Sequence, residues 1–322
     1  MKKVKIGLLG FGNVGGGTYK ILTDNRDIIE ERTGLSPEIV RILQRNRKKK
    51  RLVEADPALL TEDPDDIIKD PDIDIVVEML GGIEPATSFM LQSMKHGKHV
   101  VSANKAAIAA NYDLLIRTAR ENNVEFLFEA SVAGGIPVLT AMTGALAANN
   151  FVEVMGILNG TTNYILTKMT DEGLSYEAVL KDAQEKGFAE ADPTADVEGI
   201  DAANKLSILI ALAFGEYVAP DNIPTEGITA ITASDIEKAD AEGKKIKLIG
   251  QARVADGRLD YSVKPVLLDK DHPLAGVSNE FNAVYITGDM AGELMFYGRG
   301  AGPLPTGSAV CGDILAIMKK RF

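Results

Sequence analysis

Short apolar runs alternate with helical apolar spacing through about the first 130 residues, and the pattern then changes character. Residues 3–10, KVKIGLLG, are an apolar run ending in glycine, and from about 13 to 31 apolar positions recur at helical spacing. This predicts a strand, a tight turn and a helix. Further runs at 38–43, 73–78, 98–101 and 124–128 read as strands, with helical patterns at 84–95 and 106–121 between them. Such alternation predicts a doubly wound parallel sheet, assigned to a first domain at 1–133. From Gly134, helical patterns at about 137–148, 161–170, 176–185 and 200–214 flank a strand at 152–158, and strand-like runs follow at 245–254, 259–267, 283–287 and 293–297. The last two are joined by a hairpin signal, Asp289 to Gly292, so a second, α+β domain with antiparallel pairs is expected over 134–302. A helix near 308–319 closes the chain.

Composition narrows the class. A chain of 322 residues with 45% hydrophobic and 25% charged residues can bury a sizeable core in two domains. Its 35 basic and 46 acidic residues give a net charge of -11, which excludes a broad electrostatic grip on nucleic acid or an anionic membrane. Any anion site must be local. The longest apolar stretch, 206–214, is well short of the ~18 residues of a membrane-spanning helix, so a soluble chain is expected. A single cysteine, Cys311, cannot form an intrachain disulfide, and no secretory segment opens the sequence; both point to the cytoplasm. There are only three histidines, His96, His99 and His272, and no Cys or carboxylate set completes a metal site with them. An enzyme so poor in histidine is expected to move protons with Lys, Asp, Glu or Tyr.

The stretch GFGNVG, comprising Gly10, Phe11, Gly12, Asn13, Val14 and Gly15, fits G-x-G-x-x-G between the first strand and its helix. Gly10 permits the tight turn, Gly12 lets a pyrophosphate approach the backbone, and Gly15 lets helix and strand pack closely. The helix N-terminus then offers N–H groups to the anion. That context favours a Rossmann-like dinucleotide site over a purely structural turn. An NAD site would end its second strand in a carboxylate, but here that end reads Leu43-Gln44-Arg45-Asn46-Arg47. Arg45, with Arg47 and Lys48, could pair with a 2′-phosphate, so the sequence leans to NADP over NAD; a solvated basic loop is the alternative.

Further along, Asp201 and Lys205 share a face at i, i+4 on a predicted helix, with Glu190 upstream in a turn rich in Asp and Pro. On an open surface such a pair contributes little. The helix that follows is nearly all apolar and therefore buried, which turns the pair toward a cleft.

The segments HVVSANKAAIA (99–109), FEASVAGGIPVL (128–139), GILNGTTNYIL, KGFAEADPTADVEGIDAANKLSIL and GRGAGPLPTGSAV stand in order with GFGNVG, and together they resemble homoserine dehydrogenase from Gly7 to Ile314. The resemblance implies reversible NAD(P)H-dependent reduction of L-aspartate 4-semialdehyde to L-homoserine, a step of threonine, methionine and isoleucine biosynthesis. By motif match Lys205 is the general acid and Asp201 orients it and binds substrate, while Glu190 takes the substrate ammonium. Asp196, Gly160 and Thr161 are further substrate contacts by the same match, with helix capping as their plain alternative. Lys105 falls on the nicotinamide side. Gly302 belongs to the family's return loop, so the helix of 303–322 is expected to rejoin the nucleotide domain. The stretch from Glu129 to Ile136 resembles the family's monovalent cation loop, in which backbone carbonyls of Glu129, Val132, Gly134 and Ile136 would hold sodium. A homodimer through the second domain, or a higher homo-oligomer, is also implied.

Many family members carry a C-terminal ACT regulatory domain, and this sequence stops soon after PLPTGSAV, so threonine feedback through such a domain is not expected. Two rivals stay open at this level: another NAD(P)-dependent dehydrogenase of an amino acid or semialdehyde, and a dinucleotide-binding sensor without turnover. The sensor predicts loss of the acid, yet Lys205, Asp201 and Glu190 are present.

Overall fold

The computed structural model describes residues 1–44 and 51–322. They form two compact units, Met1–Gly135 with Ala301–Phe322, and Ile136–Gly300.

The first unit runs β1 (Lys2–Leu9), α1 (Asn13–Asp24), α2 (Arg26–Thr33), β2 (Leu35–Leu43), β3 (Leu60–Thr61), α3 (Asp65–Ile68), β4 (Ile75–Glu78), α4 (Ala86–Lys95), β5 (His99–Ser102), α5 (Lys105–Ala110), α6 (Tyr112–Glu121) and β6 (Phe126–Leu127). Its strands form one parallel sheet in the order β3-β2-β1-β4-β5-β6. The order reverses direction between β1 and β4, where a doubly wound sheet opens a crevice at the carboxyl ends of its strands. Strand residues Ile6, Leu8, Ile75, Val76 and Val77 are buried, as a sheet covered on both faces requires. The apolar pattern over 13–31 is one helix in the sequence and two in the structure, because Asn25 caps the end of α1 and the start of α2. The pattern over 106–121 divides in the same way at Asn111.

The second unit contains α7 (Val138–Thr143), β7 (Phe151–Ile157), α8 (Gly160–Glu172), α9 (Tyr176–Glu185), α10 (Thr194–Val197), α11 (Ile200–Phe214), α12 (Ala233–Ala241), β8 (Lys244–Ala255), β9 (Arg258–Asp269), β10 (Phe281–Gly288) and β11 (Gly292–Arg299). Its sheet is antiparallel throughout, in the order β11-β10-β7-β8-β9. The predicted hairpin is the β10–β11 pair, closed at Gly288 and Gly292. α11 is apolar nearly all round and lies in the core of this unit, with Leu206, Ile208, Leu209 and Ile210 fully buried.

The last helix, α13 (Pro303–Arg321), belongs to the first unit, where Val310, Ile314, Ile317 and Met318 join the core of β1, β4 and α1. Contact with α1 depends on two glycines: a Cβ on Gly17 would fall on the carbonyl of Pro303, and one on Gly307 would come within 2.8 Å of the Gly17 backbone. Cys311 sits in this interface as a buried, unpaired thiol whose ionisation burial pushes up to about 12. Among the described residues no helix is long and apolar enough to cross a membrane.

Candidate active site

Each unit carries one set of the residues singled out in the sequence. In the first, Gly10 leaves β1 with φ +110, a conformation open to glycine, and a Cβ there would stand 2.9 Å from the carbonyl of Met79. Gly15 faces the Gly10 carbonyl so closely that a Cβ has no room, whereas Gly12 has nothing within 4 Å of where its Cβ would be. Gly12 is also the N-cap of α1 and supplies no side-chain cap to its first turn. The turn therefore packs tightly at Gly10 and Gly15 and is open at Gly12, the position over which a pyrophosphate would lie. Phe11 is buried against Tyr19, and Asn13 and Val14 begin α1.

A cleft of about 380 Å³ runs from Gly10, Phe11 and Gly12 past Leu43, Gln44 and Arg51 to the Met79–Gly81 turn. That turn also lines a second hollow with Val14, Asn104 and Lys105. Asn104 caps α5 by accepting from Ala107 N, which puts Lys105 in the first helical position. Arg45, Arg47 and Lys48 lie in 45–50, outside the described residues. The structure brings forward Arg51, whose guanidinium donates to the carbonyl of Phe11 within the glycine loop. In the sequence Arg51 is one charge in a run of seven residues, and only the path of the chain sets it apart. Gly302, with φ +123, caps α13 beside Pro305 in the same unit.

In the second unit β7 ends at Ile157, and Leu158-Asn159 leads directly into α8. Lys205 is 8% exposed and Asp201 6%. The Lys205 ammonium donates to Asp201 Oδ2 at 2.6 Å and to the carbonyl of Leu158 at 2.6 Å. Asn159 Nδ2 donates to the same Asp201 oxygen at 2.9 Å and to Asp196 Oδ1 at 2.7 Å, while its Oδ1 accepts from Thr162 N to cap α8. One amide thus ties two carboxylates and a helix N-terminus together. Burial, and then the Asp201 charge, push the Asp196 carboxyl above its ordinary range. Asn159 is the residue that sequence reasoning missed: NGTTN gives a clear cap signal, and nothing in it indicates the bridge to residues 37 and 42 positions away.

Thr161 donates its hydroxyl to the Phe188 carbonyl at 2.8 Å, which fixes the turn that carries Glu190. Glu190 itself is exposed; its backbone carbonyl accepts from Gln184 Nε2, and its carboxylate makes no ion pair among the described residues. A Cβ on Gly160 would stand 2.6 Å from the Glu280 carbonyl, so glycine is needed where α8 meets the start of β10. Of the four residues expected from the resemblance to hold a cation, Glu129, Val132 and Gly134 belong to the first unit and Ile136 begins the second. Glu129 is buried, its N–H donates to Asp313 Oδ2 at 2.8 Å, and consecutive left-handed residues, Ala133 and Gly134, shape the turn after it. Among the described residues no cluster of His, Cys, Asp or Glu side chains suits a metal ion.

A doubly wound sheet with an open glycine turn, joined to a unit holding a buried lysine–carboxylate cluster, defines the class: an NAD(P)-dependent oxidoreductase acting on a CH–OH group. The family models that match the chain are "Homoserine dehydrogenase, NAD binding domain" over residues 10–129 and "Homoserine dehydrogenase" over 137–315. A homoserine dehydrogenase of Bacillus subtilis is 46% identical over 319 residues, 99% of this chain and 74% of that protein. The crystal structure of a homoserine dehydrogenase from Thiobacillus denitrificans superposes with a TM-score of 0.96 at 44% identity, covering 99% of this chain and 74% of that one. A hyperthermophilic archaeal homoserine dehydrogenase in complex with NADPH gives a TM-score of 0.80 at 27% identity, over 99% and 98% of the two chains. The chain belongs to the homoserine dehydrogenase family, whose reaction is the NAD(P)-dependent interconversion of aspartate semialdehyde and homoserine in amino-acid biosynthesis.

Proposed function

We propose that the protein reduces L-aspartate 4-semialdehyde with NADPH, the first unit holding the dinucleotide and Lys205 supplying the proton. The observation that carries this is the Lys205–Asp201–Asn159–Asp196 network at the starts of α8 and α11 and on α10, in which Lys205, Asp201 and Asn159 are buried and Asp196 half-buried. The reduced nicotinamide, when bound, supplies hydride to the aldehyde carbon. Lys205 donates a proton to the carbonyl oxygen as its C=O bond becomes C–O, and takes it back when homoserine is oxidised. Asp201 holds the ammonium in place, and Asn159 holds Asp201. Asp201, with Asp196 beside it, also offers carboxylate oxygens to the substrate, and Glu190 on its exposed turn receives the substrate ammonium. Gly160 and Thr161 shape the floor at the start of α8.

For the cofactor, Gly10 to Gly15 seat the pyrophosphate, Lys105 and Gly302 serve the nicotinamide side, and basic side chains after β2 select the 2′-phosphate. Arg51 in the cleft and the absence of a carboxylate at Leu43-Gln44 support NADP over NAD. The archaeal relative was solved with NADPH, which agrees. Carbonyl oxygens of Glu129, Val132, Gly134 and Ile136 are the donor type that suits sodium. Met295 and Tyr297, two apart on the edge strand β11 and 42% and 53% exposed, support a homodimer through the second unit's sheet. One free, buried cysteine accords with a cytoplasmic enzyme.

The cofactor reading is tested with Arg51→Ala. Loss of one charge-assisted contact to a 2′-phosphate is expected to raise KM for NADPH about tenfold and KM for NADH less than about twofold. Equal changes with both cofactors would count against a role for Arg51 in selecting NADP.

A further inference from the structure

Glu78 closes β4 beside the switch point of the sheet, paired with Leu9 of β1 on one side and Ser102 of β5 on the other. It is fully buried, and the three residues before it in the strand are Ile, Val and Val. Its Oε1 accepts from Leu80 N at 2.7 Å and from Asn104 Nδ2 at 3.3 Å, and its Oε2 accepts from the Ser102 hydroxyl at 2.7 Å. Asn104 adds a bond from Nδ2 to the Gly82 carbonyl at 2.8 Å and one from its own N–H to Ser102 Oγ at 3.1 Å. The groups bonded to the carboxylate are all neutral donors. A buried carboxylate without a cation is costly to keep. An apolar residue would end this apolar strand more cheaply, so the position calls for what the carboxylate holds.

It holds one wall of the cleft and one wall of the second hollow beside it. Met79 and Leu80 pack on the cores beside the sheet, but Gly81 and Gly82, both left-handed at φ +83 and +72, leave the far end of the Met79–Gly82 turn without side chains to fix it. Glu78 grips that turn at Leu80, and Asn104 grips it at Gly82. The same Asn104 caps the helix whose first residue is Lys105. We infer that Glu78 is a positioning residue for dinucleotide binding, the common anchor that sets the Met79–Gly82 turn and the first turn of α5 in a single arrangement. The inference rests on the reading that this cleft receives the dinucleotide.

The test compares Glu78→Ala, Glu78→Gln and Gly12→Val in the full chain, by NADPH affinity from fluorescence titration and by steady-state kinetics, at a temperature where each is folded. Glu78→Ala is expected to weaken NADPH binding at least about tenfold while KM for aspartate semialdehyde moves less than about threefold. Glu78→Gln is expected to bind within about threefold of wild type, since its amide keeps the oxygen for Leu80 and Asn104 and the Ser102 hydroxyl can accept from its nitrogen. A folded Glu78→Ala with wild-type affinity overturns the proposal, as does a Gln variant as impaired as the Ala variant. Should Glu78→Ala not fold, Ser102→Ala removes the bond to Oε2, with about threefold weaker NADPH binding expected; unchanged affinity overturns the proposal. Gly12→Val separates the two layers. Normal binding by that variant means the dinucleotide lies elsewhere, whereas normal binding by the Glu78 and Ser102 variants alone rejects only the positioning role.

Discussion

Asp201 and Lys205 illustrate how burial changes the weight of a residue pair. At i, i+4 on an exposed helix they would add a few tenths of a kcal/mol. At 6% and 8% exposure, each is a charge whose partner must be present, and breaking such a pair costs about 3–5 kcal/mol. Asn159 makes the arrangement more than a pair, because its amide keeps Asp196 and Asp201 together. Replacing it by Ser keeps a helix cap and removes the bridge. Asn159→Ser is therefore expected to lower kcat/KM for aspartate semialdehyde at least about tenfold with melting temperature nearly unchanged, read by kinetics and thermal denaturation side by side. Equal kinetics would reduce Asn159 to a cap. The lysine and both aspartates were legible in one unbroken motif. Asn159 was legible only as a cap, since its partners are distant in sequence.

At the scale of elements, the glycine turn separates packing from binding. Gly10 and Gly15 are required by neighbouring backbone, and Gly12 is not. Gly12→Val is expected to keep the wild-type melting temperature and to lose NADPH affinity by about 100-fold or more, because its side chain occupies the pyrophosphate approach. Titration of the variant checks this, and unchanged affinity would remove the turn from the site. β8 carries a second element-scale prediction. Lys247 is buried, donates to Asn163 Oδ1 and the Val277 carbonyl, and is held by burial at about 8, below its ordinary 10.5. Below pH 8 the unfolded chain and the fold both carry this proton, and the fold bears the full penalty. Between about 8 and 10.5 the unfolded chain binds the proton more, so stability contributed by this site rises with pH. Wild type should therefore gain on Lys247→Met as pH is raised from 8 to 10, by an amount on the order of 3 kcal/mol at most, in denaturant titrations at each pH. Strand and helix periodicity predicted the long strands and most of the helices, but not α12 or the short elements β3, α3 and α10. It missed the breaks at Asn25 and Asn111, because apolar spacing continues across a residue that ends one helix and starts the next.

For the whole molecule, the alternating pattern and the later antiparallel runs were enough to divide the chain into two parts. The sequence could not show which unit owns the last helix from periodicity, since a 3.6-residue repeat says that a face is buried and not against what. Gly17 and Gly307 are the local reason α13 seats on α1. The basic run after β2 was legible as charge, and Arg51 acquired meaning from its place beside Phe11.

In a protein with three histidines, the proposed mechanism turns on proton transfer by a lysine. It is tested most directly by kcat for NADPH-dependent reduction of aspartate semialdehyde by Lys205→Ala, at a temperature where the variant is folded and binds NADPH as wild type does. A fall of at least about 100-fold is expected, the scale of a lost general acid. A Lys205→Ala enzyme turning over at the wild-type rate would contradict it.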